Sequence, residues 1–266
     1  MISKPLLKSV IRQNLLVFII IIGVLMMYLP IIVGMYDPVT QESLNDMLKM
    51  MPEGLIAAMG FSGANSTLLG FMSTYFYGFL ILMLPMIYSV IACNRSIASH
   101  VDKGSMAYLL STPNTRQKIA RTQAFFILVS ITLMIGIVTL AGVVFSAIQF
   151  PRELDTACFL LLNLGTLLLY YALTGIGFFA SCLFNDTKNS LGIGGGLPVA
   201  FLLFQMISDV GEATSFFKYF SLFTLFDPEK IITGEGFALS FIVLGAIAVV
   251  MYRSAFYVFR KRDLPL

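Results

Sequence analysis

Apolar residues occur in long runs that contain almost no Asp, Glu, Lys or Arg, and these runs predict membrane-spanning helices. A helix needs about 20 predominantly apolar residues to cross the hydrocarbon core of a bilayer. Backbone polar groups in lipid must be satisfied within the segment, which favours helices. We therefore predict an all-α polytopic membrane protein in which a single transmembrane domain covers residues 1–266, with six transmembrane helices at about 15–36, 70–93, 123–149, 157–183, 190–208 and 237–258.

The apolar run at 54–94 is too long for a single span, and small residues interrupt it. Gly60, Gly63 and Gly70 fall in the interruption, and glycine is a strong signal for a break in a helix. We predict a helix over 41–59 that lies at the outer membrane interface, followed by the second span. A re-entrant hairpin is the alternative for this region.

The composition of the chain excludes a soluble globular domain. Hydrophobic residues make up 58% of the 266 residues and charged residues only 12%, with a mean hydropathy of +0.89. Ordinary soluble domains carry about 25% charged residues. The chain has one histidine, His100, and no GxxxxGK[ST] sequence, so we expect neither a multi-histidine metal site nor an ATP-binding loop. The thinly spread net charge gives no indication of nucleic-acid binding.

Basic residues are distributed unequally between the predicted loops, and this distribution predicts the orientation. With the N-terminus in the cytoplasm, only four of the 17 Lys and Arg residues lie on the outer side: Lys49, Arg152, Lys218 and Lys230. The acidic residues show the opposite bias. An excess of Lys and Arg in cytoplasmic loops is the topological signal that carries weight, so both termini are predicted to be cytoplasmic.

The N-terminal residues have the pattern of an amphipathic helix. Lys4, Lys8 and Arg12 recur every four residues, and this spacing places them on one helix face. The other side carries apolar residues, namely Leu6, Leu7, Val10 and Ile11. We predict an N-terminal amphipathic interfacial helix on the inner leaflet of the bilayer. The alternative is a positive anchor that only sets the topology.

The longest inner loop, 94–122, carries the signals of a short helix. Ser105 can cap a helix over 106–111, and Pro113 ends it because a proline disfavours helical geometry in the residue before it. One face of this short helix is apolar and comprises Met106, Leu109 and Leu110. We expect this face to be exposed and to need a partner; the alternative is a well-capped loop with no docking role.

The same loop matches a longer pattern, G-[TS]-x-x-x-L-L-[SAT]-x-P-x-x-R. The matching residues are Gly104, Ser105, Leu109, Leu110, Ser111, Pro113 and Arg116. The pattern resembles the one that follows the second span in ABC-2 type permeases, the membrane-spanning subunits of ABC transporters. The six spans and the basic N-terminal segment are similar to that family as well. Family members often carry acidic residues four and two positions before the glycine, where this chain has His100 and Asp102.

The resemblance implies that the loop holds a short cytoplasmic coupling helix between spans 2 and 3, which docks on a separate ATPase subunit. The implied docking residues are Asp102, Gly104, Met106, Leu109, Leu110, Pro113 and Arg116. It also implies a second permease subunit, alike or different, with ATP and Mg on the ATPase and no cofactor on this chain. The implied activity is efflux of an amphiphilic substrate (a drug, an antimicrobial peptide or a lipid-like molecule) across a bacterial cell membrane, with no bond chemistry by this chain.

The fifth span contains a candidate packing or gating element. Gly192 and Gly196 form a GxxxG sequence, which permits close approach of a second helix, and Pro198 predicts a kink. We interpret these residues as flexible helix packing. A gate or a contact between permease subunits is the alternative.

Polar residues within the predicted spans bear on the energy source. Besides Ser, Thr and Tyr they include Asn163 and Gln205, with no acidic or basic residue at mid-depth. Ion-coupled transporters usually have a charged residue there. A stand-alone channel or secondary transporter is nevertheless the alternative function. An intramembrane enzyme would need a nucleophile or metal constellation that the sequence does not contain.

Overall fold

The computed structural model describes residues 2–37, 67–111, 114–208, 212–234 and 236–263. This part of the chain contains helices and no strands. The α-helices are α1 (Lys4–Met35), α2 (Leu68–Met72), α3 (Leu80–Ser96), α4 (Ala98–Asp102), α5 (Ser105–Ser111), α6 (Arg116–Gln149), α7 (Thr156–Leu183), α8 (Thr187–Gly194), α9 (Gly196–Ser208), α10 (Pro228–Thr233) and α11 (Phe237–Lys261). A π-helical turn, Ser73–Tyr77, follows α2, and two 3₁₀ helices, Glu212–Phe220 and Phe223–Leu225, precede α10. The helix predicted over 41–59 lies outside the described residues.

Five helices of the described chain are long and apolar enough to cross a membrane. They are α1, α6, α7, the pair α8–α9 taken together, and α11. The pair formed by α2 with its π turn and α3 passes the same test, but it is bent by 41°. The all-α polytopic class is therefore confirmed, and the described residues offer five candidate spans, or six when the bent pair is counted as one span.

The N-terminal basic segment is not a separate element. Lys4–Met35 forms one continuous helix of 32 residues, which is about 48 Å long at 1.5 Å per residue. The hydrocarbon core of a bilayer is about 30 Å thick, so α1 must extend beyond it. The interfacial helix predicted from the basic face is instead the first turns of α1, because no break signal separates it from the apolar run.

Helices α1 and α6 run side by side in the same direction. At one end the backbone N–H of Ser3 donates to Thr122 Oγ1 at 3.0 Å. At the other end, Gln149 Nε2 lies 3.5 Å from the carbonyl oxygen of Pro30. The N-terminus and the start of α6 therefore share one end of the bundle. That end also carries α4 and α5, and we call it the basic end.

Helix α7 is the centre of the bundle. It contacts α3, α6, α8, α10 and α11, and its buried side chains include Phe159, Leu162 and Phe178. Asp155 caps its first turn by accepting the N–H groups of Ala157 and Cys158 at 3.0 and 3.1 Å. This position explains why α7 must be apolar on nearly every side.

A buried tyrosine compensates a proline in α3. Pro85 has no N–H, so the carbonyl of Ile81, four residues earlier, loses its usual helical donor. The hydroxyl of Tyr170 in α7 lies 2.7 Å from that carbonyl oxygen and 2.6 Å from the Leu82 carbonyl oxygen. The side chain of Tyr170 is fully buried. Helix α3 can thus carry a proline because α7 supplies the missing donor.

Candidate coupling surface at the basic end of the bundle

Two short helices, α4 and α5, connect the long helices α3 and α6 at the basic end. Gly104 lies between them with φ of +68°, in the left-handed region that glycine adopts without steric cost. Its N–H donates to the Val101 carbonyl at 3.0 Å. The glycine of the sequence pattern is therefore required by a tight turn that redirects the chain from α4 into α5.

His100 and Ser105 hold this turn together. The Ser105 hydroxyl lies 3.0 Å from His100 Nδ1 and 3.2 Å from the His100 carbonyl oxygen. The pKa of His100 is lowered from 6.5, first by its burial and then by the positive charge of Lys103. A neutral imidazole is thus favoured at His100.

The apolar face of α5 packs against the protein's own bundle. Met106 is only 1% exposed, and Leu109 and Leu110 are half-buried against the same cluster, which includes Ile97 and Ile119. The expectation of an exposed apolar face was therefore wrong. The face is covered because Met106 belongs to the same buried apolar cluster as Ile97, between α3 and α4, and Ile119 of α6.

The outward side of α5 is centred on Tyr108, whose side chain is 79% exposed. The exposed residues around it are Asp102, Lys103, Gly104, Ala107 and Ser111. Sequence reasoning missed Tyr108 because it followed the apolar positions. The available signal was helical spacing, since a residue two positions after Met106 lies about 200° around the helix. Of the predicted docking residues, Asp102 and Gly104 are on this outward surface.

Arg116 connects α6 to the C-terminus. Its Nη1 atom donates to the Arg262 carbonyl at 2.7 Å, and Arg262 Nη1 donates to the Cys182 carbonyl at 2.6 Å. The C-terminal end of α11, the end of α7 and the start of α6 therefore meet at the basic end. The predicted docking residue Pro113 lies outside the described residues.

The basic residues of α1 project outward at the same end. Lys4, Lys8 and Arg12 are exposed, as their spacing predicted. Leu6 and Val10 are buried in the cluster that also holds Met106. The apolar side of this segment therefore contacts the bundle in part, and does not face lipid alone.

The glycines of α8 and α9 have different roles. A Cβ atom built at Gly192 or Gly196 would meet no atom within 4 Å, so both face open space. A Cβ at Gly194 would lie 3.1 Å from Ala180 Cβ and 3.3 Å from Gly177 Cα. Close packing on α7 thus depends on Gly194, which the GxxxG pattern did not identify. The helix is interrupted at Gly195, which separates α8 from α9. Pro198 is buried in the first turn of α9.

The side chains of the described residues suggest a contact surface on α5 and give no indication of a catalytic centre. Among them, no group of three or more His, Cys, Asp or Glu side chains is arranged to hold a metal ion. Their buried polar side chains are Ser, Thr, Asn, Gln and Tyr, all neutral. The arrangement presents a short helix, α5, with an exposed outward face; α4 links it to the long helix α3, and the long helix α6 follows it.

Comparison with known proteins gives one family. Residues 2–264 match the model of a family described as ABC-2 family transporter protein. No curated protein matches the chain.

Proposed function

The chain belongs to the ABC-2 family of transporter proteins, and from this premise we propose that it exports an amphiphilic substrate with energy from a separate ATPase. The family supports the assignment as a permease subunit of an ABC transporter and as a multi-pass membrane protein. In our proposal the complex lies in a bacterial cell membrane with the basic end in the cytoplasm. It contains two permease subunits and two ATPase subunits, and the ATPase binds ATP and Mg.

The observation that carries the proposal is the outward face of α5. Tyr108 is 79% exposed, and a large amphipathic side chain of this kind is typical of the residues that dominate protein interfaces. We propose that this face, with Asp102 and Gly104 beside it, is the docking site for the ATPase. The opposite, apolar face of α5 holds this helix on the bundle. That face comprises Met106, Leu109 and Leu110.

The connections of α5 provide a path for mechanical coupling. Helix α4 follows α3 directly through Ile97, whose N–H donates to Ser181 Oγ of α7 at 3.2 Å. Beyond α5, Arg116 ties the start of α6 to the C-terminus. In our proposal, closure of the ATPase dimer displaces α5, and this displacement shifts the ends of α3 and α6. Two states of the bundle with different nucleotide preference are sufficient for coupling.

The neutral interior supports an external source of energy. The buried polar side chains of the described residues are uncharged, whereas proton- and ion-driven transporters place charged residues along the pathway. A stand-alone channel or secondary transporter is therefore the less favoured alternative.

The experiment compares Tyr108→Asp with Tyr219→Asp in the full chain. Tyr219 is a matched control because its side chain is 77% exposed and it lies beyond the far end of α9. Each variant is purified in mild detergent from its native host, and the co-purifying ATPase and its hydrolysis rate are measured. We expect Tyr108→Asp to lose the ATPase and Tyr219→Asp to retain it. Leu110→Asp is less informative because Leu110 is half-buried.

Three results would count against this proposal. If both variants recover the same amount of ATPase, Tyr108 is not part of the interface with the ATPase. An unchanged coupled hydrolysis rate would contradict its role in transmission. Failure to capture any ATPase with the unmodified chain would favour a stand-alone channel or secondary transporter.

A further inference from the structure

A small pocket lies between α6 and α11 at the basic end of the bundle. It has a volume of about 70 Å³. On each helix the lining residues include two that are four positions apart and therefore share one face. The lining residues are Gln117, Ala120 and Arg121 of α6, with Phe256, Phe259 and Arg260 of α11.

The pocket has an apolar floor and a cationic rim. Phe259 is 1% exposed, and Phe256 is half-buried against the same apolar cluster. Gln117, Arg121 and Arg260 are exposed. Packing therefore holds the floor in place, while the long side chains at the rim are free to turn toward a ligand.

The two arginines at the rim differ from other arginines at this end of the bundle. Arg116 donates to the Arg262 carbonyl at 2.7 Å, and Arg262 donates to the Cys182 carbonyl at 2.6 Å. Within the described part of the chain, the guanidinium groups of Arg121 and Arg260 form no salt bridge or hydrogen bond. Two like charges that line one pocket repel each other, and an anion between them removes this repulsion.

The length of α11 places the pocket at the depth of the lipid headgroups. Glu235 precedes this helix, so the hydrocarbon core begins near Phe237. Arg260 follows 23 residues later, about 35 Å along the helix, which is about 5 Å beyond a core about 30 Å thick. Arg253, nearer the membrane centre, is exposed and can extend its long stem to the headgroups.

The chemistry of the rim selects an anionic phosphate group. The planar guanidinium group matches the geometry of phosphate oxygens and binds them through two parallel hydrogen bonds. The side-chain amide of Gln117 can donate one more. A zwitterionic lipid would bring its own ammonium group close to two arginines, whereas a lipid with a net negative charge brings no such repulsion.

We propose that this pocket binds the phosphate group of an anionic phospholipid, such as phosphatidylglycerol. Arg121 and Arg260 bind the phosphate oxygens, and the start of an acyl chain lies on Phe256. The chain continues along α11 over Val249, which is on the same helix face two turns away and is 54% exposed. The proposal requires only a bilayer, so its test is independent of the test of ATPase docking.

The absence of tryptophan from the sequence allows an assay with single fluorescent reporters. Val249→Trp places the reporter below the pocket, and Leu16→Trp is the control on α1, at a position 69% exposed. The two reporters have similar depth, because they are 11 and 13 residues from Arg260 and Ser3 at the basic end. The full chain is reconstituted in phosphatidylcholine bilayers, and quenching by brominated phosphatidylglycerol is compared with quenching by brominated phosphatidylcholine.

We expect phosphatidylglycerol to be preferred about tenfold at Val249→Trp, since each of two cations attracts an anionic lipid. The preference at Leu16→Trp should be much smaller. The double variant Arg121→Gln/Arg260→Gln should lower the preference at Val249→Trp to the level of the control reporter. Both arginines are exposed, and an unchanged emission spectrum of Leu16→Trp in this variant shows that the fold is kept.

A matched charge control separates the pocket from the general field of the basic end. Lys4→Gln/Lys8→Gln also removes two exposed cations at this end, but on α1. This variant should leave the preference at Val249→Trp unchanged. Inorganic phosphate, added at constant ionic strength, should leave it unchanged as well, because the bilayer supplies the lipid phosphate directly to the pocket.

Any of four results would overturn the proposal. Equal quenching by the two lipids at Val249→Trp would show that no anionic lipid is selected there. An undiminished preference in the Arg121→Gln/Arg260→Gln variant would exclude the assigned partners. An equal loss in the lysine variant would assign the preference to general surface charge. Loss of the preference in inorganic phosphate would make the pocket a site for a free anion instead of a lipid.

Discussion

The hydrogen bond between Tyr170 and α3 gives a prediction whose size can be worked out from the structure. Tyr170→Phe removes the hydroxyl that lies 2.7 Å from the Ile81 carbonyl and leaves that carbonyl without a donor, because Pro85 has none to offer. An intramolecular hydrogen bond contributes about 0.5–1.5 kcal/mol, and an orphaned buried acceptor costs about 1–3 kcal/mol. Comparable bonds between transmembrane helices reach at most about 1.7 kcal/mol. We therefore expect a loss of about 1–2 kcal/mol in the free energy of unfolding.

A double-mutant cycle with Pro85→Ala isolates the cause. Alanine restores a backbone N–H that can pair with the Ile81 carbonyl within the helix, so Tyr170→Phe should cost clearly less in the Pro85→Ala background. The assay is equilibrium unfolding of the full chain by SDS in mixed micelles, followed by tyrosine fluorescence. If Tyr170→Phe costs the same in both backgrounds, the tyrosine does not compensate the proline and our explanation of how α3 carries Pro85 is wrong.

Three further predictions concern the turn and the packing. Gly104→Ala should lower stability by about 1 kcal/mol, since φ of +68° is strained for any residue with a Cβ; thermal unfolding measures this, and an unchanged midpoint would contradict the turn. Gly194→Ala should destabilise the chain and Gly192→Ala should not, because only the first meets neighbouring atoms; equal effects would refute the packing assigned to α8. Lowering the pH from 7.5 to 5.5 should destabilise the native chain more than the His100→Gln variant. The lowered pKa of His100 means that the unfolded state binds more protons below pH 6.5, so this stability is present above that pH and is lost as pH falls; parallel pH profiles would refute it.

Much of the membrane architecture could be predicted from single segments of the sequence. The spans predicted at 157–183 and 237–258 correspond to Thr156–Leu183 and Phe237–Lys261. Prediction succeeded because the free energy of placing a helix in lipid is approximately a sum over its own residues. The short helix predicted over 106–111 was readable for the same reason, since its signals also lie within one segment, and it corresponds to Ser105–Ser111. The bend in the second span was not predicted: it lies where the π turn Ser73–Tyr77 meets α3, and no residue pattern marked that turn in advance.

The candidate coupling surface was only half predictable. The sequence located the short helix and its apolar stripe, but it could not show whether that stripe faced a partner or the bundle. Both arrangements satisfy the same periodicity, and the choice was made by apolar residues from other parts of the chain, such as Val10 and Ile119, which share a buried cluster with Met106. Tyr108 became the outward residue as a consequence.

The sequence by itself thus determined that the chain is a helical membrane protein, where its spans lie and which family it resembles. The tertiary structure alone decided that Gly194 packs on α7 while Gly192 faces open space, and that Arg121 and Arg260 line one pocket. The physical reason is that transfer into a bilayer depends on the residues of one segment. Packing and the pairing of buried polar atoms depend on side chains that are distant in sequence and become neighbours only when the helices assemble.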